Sequence, residues 1–164
     1  MGSGLLLAAV CVLGNIVNVV MEEGMFRGLF LRLGRERYSL WGSFLLSSLL
    51  FGLWHVAQPA RSFLDGNMTL GAAALGALGY MAVTFLGGLK FCMLTQLTGS
   101  LWTPMADHFV NNTVVNMLHV VTASGADELQ FIRITTAQTL SFLLVLALFL
   151  KRRAWERPTF RAWE

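Results

Sequence analysis

An apolar run from Leu5 to Leu31 is interrupted by two carboxylates and a guanidinium, in the segment VVMEEGMFRGLF from Val19 to Phe30. Placing a charge at the centre of a membrane helix costs roughly 2.5–3.5 kcal/mol on insertion scales. Glu22, Glu23 and Arg27 must therefore find partners, do chemistry, or both. Glu23 and Arg27 stand four residues apart, the spacing at which helical side chains meet. Glu22 points about 100° away from Glu23 and is left out of that pair. One acid is neutralised and oriented; the other is free and screened from water. A general base is prepared in this way.

The rest of the chain excludes a soluble domain. Of its 164 residues, 55% are hydrophobic and 13% charged, and mean hydropathy is +0.63; soluble chains carry nearly twice that share of charge. The reading is an all-α, polytopic transmembrane bundle of about five helices. They run from about Gly4 to Leu33, Tyr38 to Ala57, Met68 to Leu97, Trp102 to Val121 and Leu129 to Leu150. No linker or internal repeat divides residues 1–164, which read as one membrane-embedded domain with a motif-bearing core over about 19–112 and a short tail over 151–164. A polar loop is expected from Arg61 to Asn67. The third helix exceeds the ~30 Å hydrocarbon core and should tilt, or break at Gly87-Gly88. Its small residues from Gly71 to Gly79 suit close packing in lipid, and Lys90 is expected to snorkel to the interface.

The net charge of +3 does not indicate nucleic acid, because the basic residues cluster in short loops and the tail. With five spans, Arg32, Arg35, Arg37 and Lys151 to Arg153 fall on one side, while Asp65, Asp127 and Glu128 fall on the other. The positive-inside rule then puts the C-terminus in the cytosol. The chain is expected to be a multi-pass integral membrane protein, in the plasma membrane if the cell is prokaryotic. Cys11 and Cys92 lie near opposite bilayer faces, too far apart to pair.

Further polar residues sit within membrane helices: His55 on the second, His108 and Asn112 four apart on the fourth. No nucleophile has an apparent partner; Ser47 and Ser48 read as serines bonding their own backbone, and no HExxH motif is present. A carboxylate and two imidazoles can activate a water for attack on a carbonyl, with Asn and His as donors to the resulting oxyanion. Glu22, His55 and His108 could equally ligate a divalent metal such as zinc. The sequence leaves both open. Trp54 reads as packing, and Trp41, Trp102 and Trp155 as interfacial anchors. Asn116 and His119 read as inter-helix hydrogen-bonders. Asp107 lies beside the stripe, about 100° from His108.

The order EExxxR (Glu22, Glu23, Arg27), FxxxH (Phe51, His55) and HxxxN (His108, Asn112) resembles the CPBP family of intramembrane proteases, the CAAX-processing and bacteriocin-processing (Abi) enzymes. EEGMFRGLF, SSLLFGLWH and LTGSLWTPMADHFVNN match it in order and spacing. The resemblance implies that Glu22, helped by His55, is the base on a catalytic water, that Glu23 and Arg27 orient it, and that His108 and Asn112 hold the oxyanion. It implies a peptide or lipid-modified protein substrate, similar to those of type II CAAX prenyl endopeptidases. These have been described as glutamate-dependent, although the family is often labelled metalloprotease. Family members usually carry further helices before the EExxxR helix, which here opens the chain, as a minimal version or a truncated start. Two other classes stand beside this reading. A proton-coupled transporter or ion-conducting subunit would also use intramembrane Glu and His, although paired broken-helix repeats are lacking. A non-catalytic scaffold or immunity partner would need none of the six side chains.

Overall fold

The computed structural model describes residues 2–117 and 129–156. His119 and the acidic loop lie outside them. Among the described residues all regular structure is helical: α1 (Gly2–Glu23), a π-helical turn (Gly24–Phe30), α2 (Leu31–Arg35), α3 (Leu40–Trp54), α4 (Ala57–Leu64), α5 (Leu70–Thr98), α6 (Trp102–Met117), α7 (Gln130–Lys151) and a 3-10 turn (Ala154–Glu156). Four stretches are long and apolar enough to cross a membrane: Gly4–Arg35, Leu40–Leu64, Leu70–Thr98 and Gln130–Lys151. The fourth expected helix, α6, is not among them over its described residues and carries the polar stripe.

Local chemistry sets the helix ends. Ser39 and Thr69 cap α3 and α5, their hydroxyls accepting from the amides of Gly42 and Ala72, which satisfies orphan donors of the first turn. Gly99 closes α5 in the left-handed conformation, with φ of 64°, a position that favours glycine. The loop expected at Arg61–Asn67 is instead helical as far as Leu64. Pro59 falls in the first turn of α4, where its missing N–H is not needed, so the helix runs to Leu64. Of the two alternatives for the long third helix, a break at Gly87-Gly88 is absent: α5 is continuous.

Gly88 serves packing, whereas Gly87 faces open space. A Cβ on Gly88 would lie 3.0 Å from both Cα and Cβ of Ser48, and one on Gly52 would lie 3.0 Å from the Met81 carbonyl. α3 and α5 therefore touch nearly backbone to backbone, as small residues allow in lipid. The small residues of Gly71–Gly79 do less: Gly71 and Gly79 face open space, and Gly76 meets Pro59 at 3.6 Å. Gly88→Leu should consequently destabilise the fold by about 1–3 kcal/mol through overpacking. Thermal unfolding in micelles checks this; an unchanged midpoint would mean that the two helices do not meet there.

At one end of the bundle Leu31, Phe44, Cys92, Met93, Phe149 and Ala154 form one apolar cluster. Trp41 packs on Phe44 and Phe149, and the Gln96 amide donates to the Ala154 carbonyl at 3.2 Å. The segment with Arg32, Arg35 and Arg37 thus lies at the same end as Lys151–Arg153. At the other end Asn116 donates to Asn15 at 3.1 Å, and Asn15 donates to Thr113 at 3.4 Å. This is the inter-helix role expected of Asn116. Successive long helices therefore alternate in direction.

Candidate functional site

The π-helical turn follows immediately on Glu22 and Glu23. Its wider turn is a local departure often found at functional sites. The Phe26 carbonyl receives the amide of Leu31, five residues on, and also the Ser47 hydroxyl at 2.7 Å. Ser47 thus bonds a neighbouring helix and not its own backbone. The acids are fixed on the last turn of α1, and Arg27 on the widened turn, facing α3, α5 and α6.

All four charged or titratable groups of this cluster are buried: Glu22 is 3% exposed, Glu23 0%, Arg27 1% and His108 4%. Glu23 Oε1 accepts from Arg27 Nη1 at 3.0 Å and from His108 Nδ1 at 2.8 Å. A carboxylate only accepts, so Nδ1 of His108 carries its proton. The other ring nitrogen, Nε2, lies 3.5 Å from Glu22 Oε2. Glu22 Oε1 accepts from the Trp54 indole at 3.2 Å. Among the described residues, Oε2 of Glu22 is buried without a hydrogen bond. The free acid of the EExxxR motif thus has one oxygen tethered and one open, aimed at an imidazole.

Aromatic rings close the site. The Arg27 guanidinium lies 4.2 Å from the Phe51 ring centre and 4.9 Å from that of Phe91; cation–π contacts of this kind contribute about 2 kcal/mol when desolvated. His108 stacks on Phe91 at 4.9 Å and 22°, and its edge meets Phe51 at 5.9 Å. The rings raise the electrostatic stakes, because charges interact more strongly away from water.

His55 occupies a different place. It caps the end of α3, half-buried, with Nδ1 2.9 Å from the Phe51 carbonyl and its ring edge-on to Phe51 at 4.6 Å. A carbonyl only accepts, so Nδ1 holds the proton and Nε2 presents a lone pair. Counted from the expected helix ends at Leu33 and Tyr38, Glu22 and His55 would differ in depth by about 9 Å at 1.5 Å per residue. That gap closes because the first span continues to Arg35 and α3 starts only at Leu40. Trp54, next to His55, accordingly reaches Glu22. Asn112 lies one turn beyond His108 and is half-buried.

Glu22, His55 and His108 do not fit a metal centre. Among the described residues no three His, Cys, Asp or Glu side chains converge as ligands, whereas a catalytic zinc needs three protein ligands. Nδ1 of His55 faces the Phe51 carbonyl and Nδ1 of His108 faces Glu23, which leaves Nε2 as the unengaged nitrogen of each ring.

Two features escaped the sequence reading. Trp54 is a hydrogen-bond partner of Glu22 and not mere packing; an indole N–H beside an intramembrane acid was the available signal. Lys90 does not snorkel. It is 1% exposed, with Nζ 2.6 Å from Asp107 Oδ2, 3.1 Å from Gln138 Oε1 and 3.2 Å from Ser141 Oγ.

A family model described as type II CAAX prenyl endopeptidase Rce1-like matches residues 4–114, about two-thirds of the chain and every residue of this cluster. No curated protein and no solved structure matches it.

Proposed function

Because the chain belongs to the type II CAAX prenyl endopeptidase Rce1-like family, we propose that it hydrolyses a peptide bond near the C-terminus of a membrane-associated, prenylated substrate, using a water activated by Glu22. The supporting observation is the open Oε2 of Glu22, buried and 3.5 Å from Nε2 of His108. Oε2 takes a proton from the water as its oxygen attacks the scissile carbonyl carbon. His108, held by Glu23 through Nδ1, donates from Nε2 in its doubly protonated form to the oxyanion, with the Asn112 amide as a second donor. The tetrahedral intermediate collapses by breaking the C–N bond, and the proton on Glu22 passes to the departing amine. Glu23 and Arg27 keep His108 oriented and offset part of the buried charge. His55, with its Nε2 lone pair, accepts from the incoming water or the substrate amide.

The test is cleavage of a farnesylated peptide ending in a CaaX sequence by purified protein in proteoliposomes. The reading requires release of the C-terminal tripeptide; no release from this peptide, with folded protein, sinks it. Trp54→Phe keeps an aromatic ring but removes the donor to Glu22. It should lower kcat about tenfold with little change in thermal midpoint, consistent with loss of one hydrogen bond to a charged group. A wild-type kcat would remove Trp54 from the account.

We further propose that the basic end of the bundle, with Arg32, Arg35, Arg37 and Lys151–Arg153, faces the cytosol. A cysteine introduced as Arg153→Cys should resist an impermeant thiol reagent applied to intact cells and react after lysis. Labelling in intact cells would reverse the orientation.

A further inference from the structure

The Lys90 cluster lies outside the machinery described above, yet it abuts it at two consecutive positions. Lys90 and Phe91 are neighbours on α5, and Asp107 and His108 are neighbours on α6. Lys90 binds Asp107 at 2.6 Å, while Phe91 stacks on His108 at 4.9 Å. Adjacent residues on a helix diverge by about 100°, so these two contacts grip α6 at different azimuths. A single contact would let the helix roll about it; two such contacts fix its rotation.

The remaining partners belong to α7. The ammonium donates to Gln138 Oε1 and Ser141 Oγ and pairs with the Asp107 carboxylate as a charge. Gln138 also donates to Asn111, one turn past Asp107 on α6. The ammonium is thus buried, charge-paired and hydrogen-bonded inside the protein. Its nearest consequence is the setting of α6. We propose that Lys90 and Asp107 are a positioning pair for the candidate active site: their ion pair, braced by Gln138 and Ser141, sets the rotation of α6 and so holds the His108 ring on Phe91 with Nδ1 against Glu23. This rests on the proposed role of His108 for its effect on rate, but its structural half stands apart from that role.

Lys90 is buried and Asp107 half-buried, so removing Asp107 alone leaves a buried charge uncompensated and single variants risk misfolding. The test therefore uses Lys90→Met/Asp107→Leu, which removes both charges and keeps apolar bulk. Two readouts are taken on the full chain in nanodiscs. The first is the Nδ1–H resonance of His108 in 15N-histidine-labelled protein, assigned by its loss in His108→Ala. In the wild type it should show the hydrogen bond to Glu23; in the double variant it should be lost or move toward the position of a solvent-exposed ring. The second is cleavage of the farnesylated CaaX peptide, with kcat falling at least tenfold and KM within twofold. A double variant that keeps the wild-type resonance overturns the proposal, whatever its activity. So does a folded one with wild-type kcat. If the double variant does not fold, Gln138→Leu replaces it, with the resonance perturbed and kcat lowered about threefold at an unchanged thermal midpoint; wild-type values in both readouts overturn the proposal. Should the wild type fail to cleave the peptide, the functional reading falls, and the resonance alone decides the positioning claim.

Discussion

Glu22→Gln is expected to abolish cleavage of the farnesylated CaaX peptide, lowering kcat at least about a thousandfold, within the range that a positioned general base supplies. The reasoning starts from the two oxygens of Glu22. One accepts the Trp54 indole at 3.2 Å; the amide oxygen of glutamine can take over that bond, so the side chain stays in place. The other, Oε2, is buried without a hydrogen bond among the described residues, and there the substitution puts an NH2 group that cannot accept a proton. Removing a carboxylate from an apolar setting does not cost stability by itself, so the variant should insert and unfold at or above the wild-type midpoint. A folded Glu22→Gln protein with normal kcat would require another base.

His108→Ala should be nearly as damaging, with kcat lowered about 100- to 1,000-fold, the loss seen when an oxyanion donor is removed, or roughly 3–4 kcal/mol of transition-state stabilisation. The substitution also removes the stack on Phe91 and the bond to Glu23. Glu23 keeps Arg27 at 3.0 Å, which limits the damage to folding. The informative comparison is His108→Gln, whose side-chain N–H can partly replace the donor. Partial recovery of kcat over His108→Ala, at similar KM, marks a donor to the transition state. Equal kcat in the two variants would assign the ring to packing instead.

What the chain disclosed before its structure, and what it withheld, divides along physical lines. The Glu23–Arg27 pair was legible because four residues on one helix nearly always meet, and the pair forms even though the turn between them is π-helical. The approach of His108 to both acids rested on three motifs in register and on the cost of leaving any of them in lipid. The fate of Lys90 was not legible. A lysine near a helix end can extend to the interface or turn inward, and which it does depends on the rotation of α6 and α7, which place Asp107, Gln138 and Ser141 around it. Trp54 was missed for the same reason, since its partner lies on another helix. α4 was missed because the polar residues from Arg61 to Asn67 read as a loop; Pro59, in its first turn, is compatible with the helix that follows.

The account depends most on a water, and not a side chain, being the group that attacks. A single turnover in H2(18)O, with protein in excess over the farnesylated CaaX peptide, tests this by mass spectrometry of the product and of the protein segment containing Glu22. Direct attack predicts one 18O in the new carboxylate of every product molecule and none in Glu22. Label in Glu22, or unlabelled product, would mean that the carboxylate itself had bonded to the substrate carbonyl, and would contradict the mechanism.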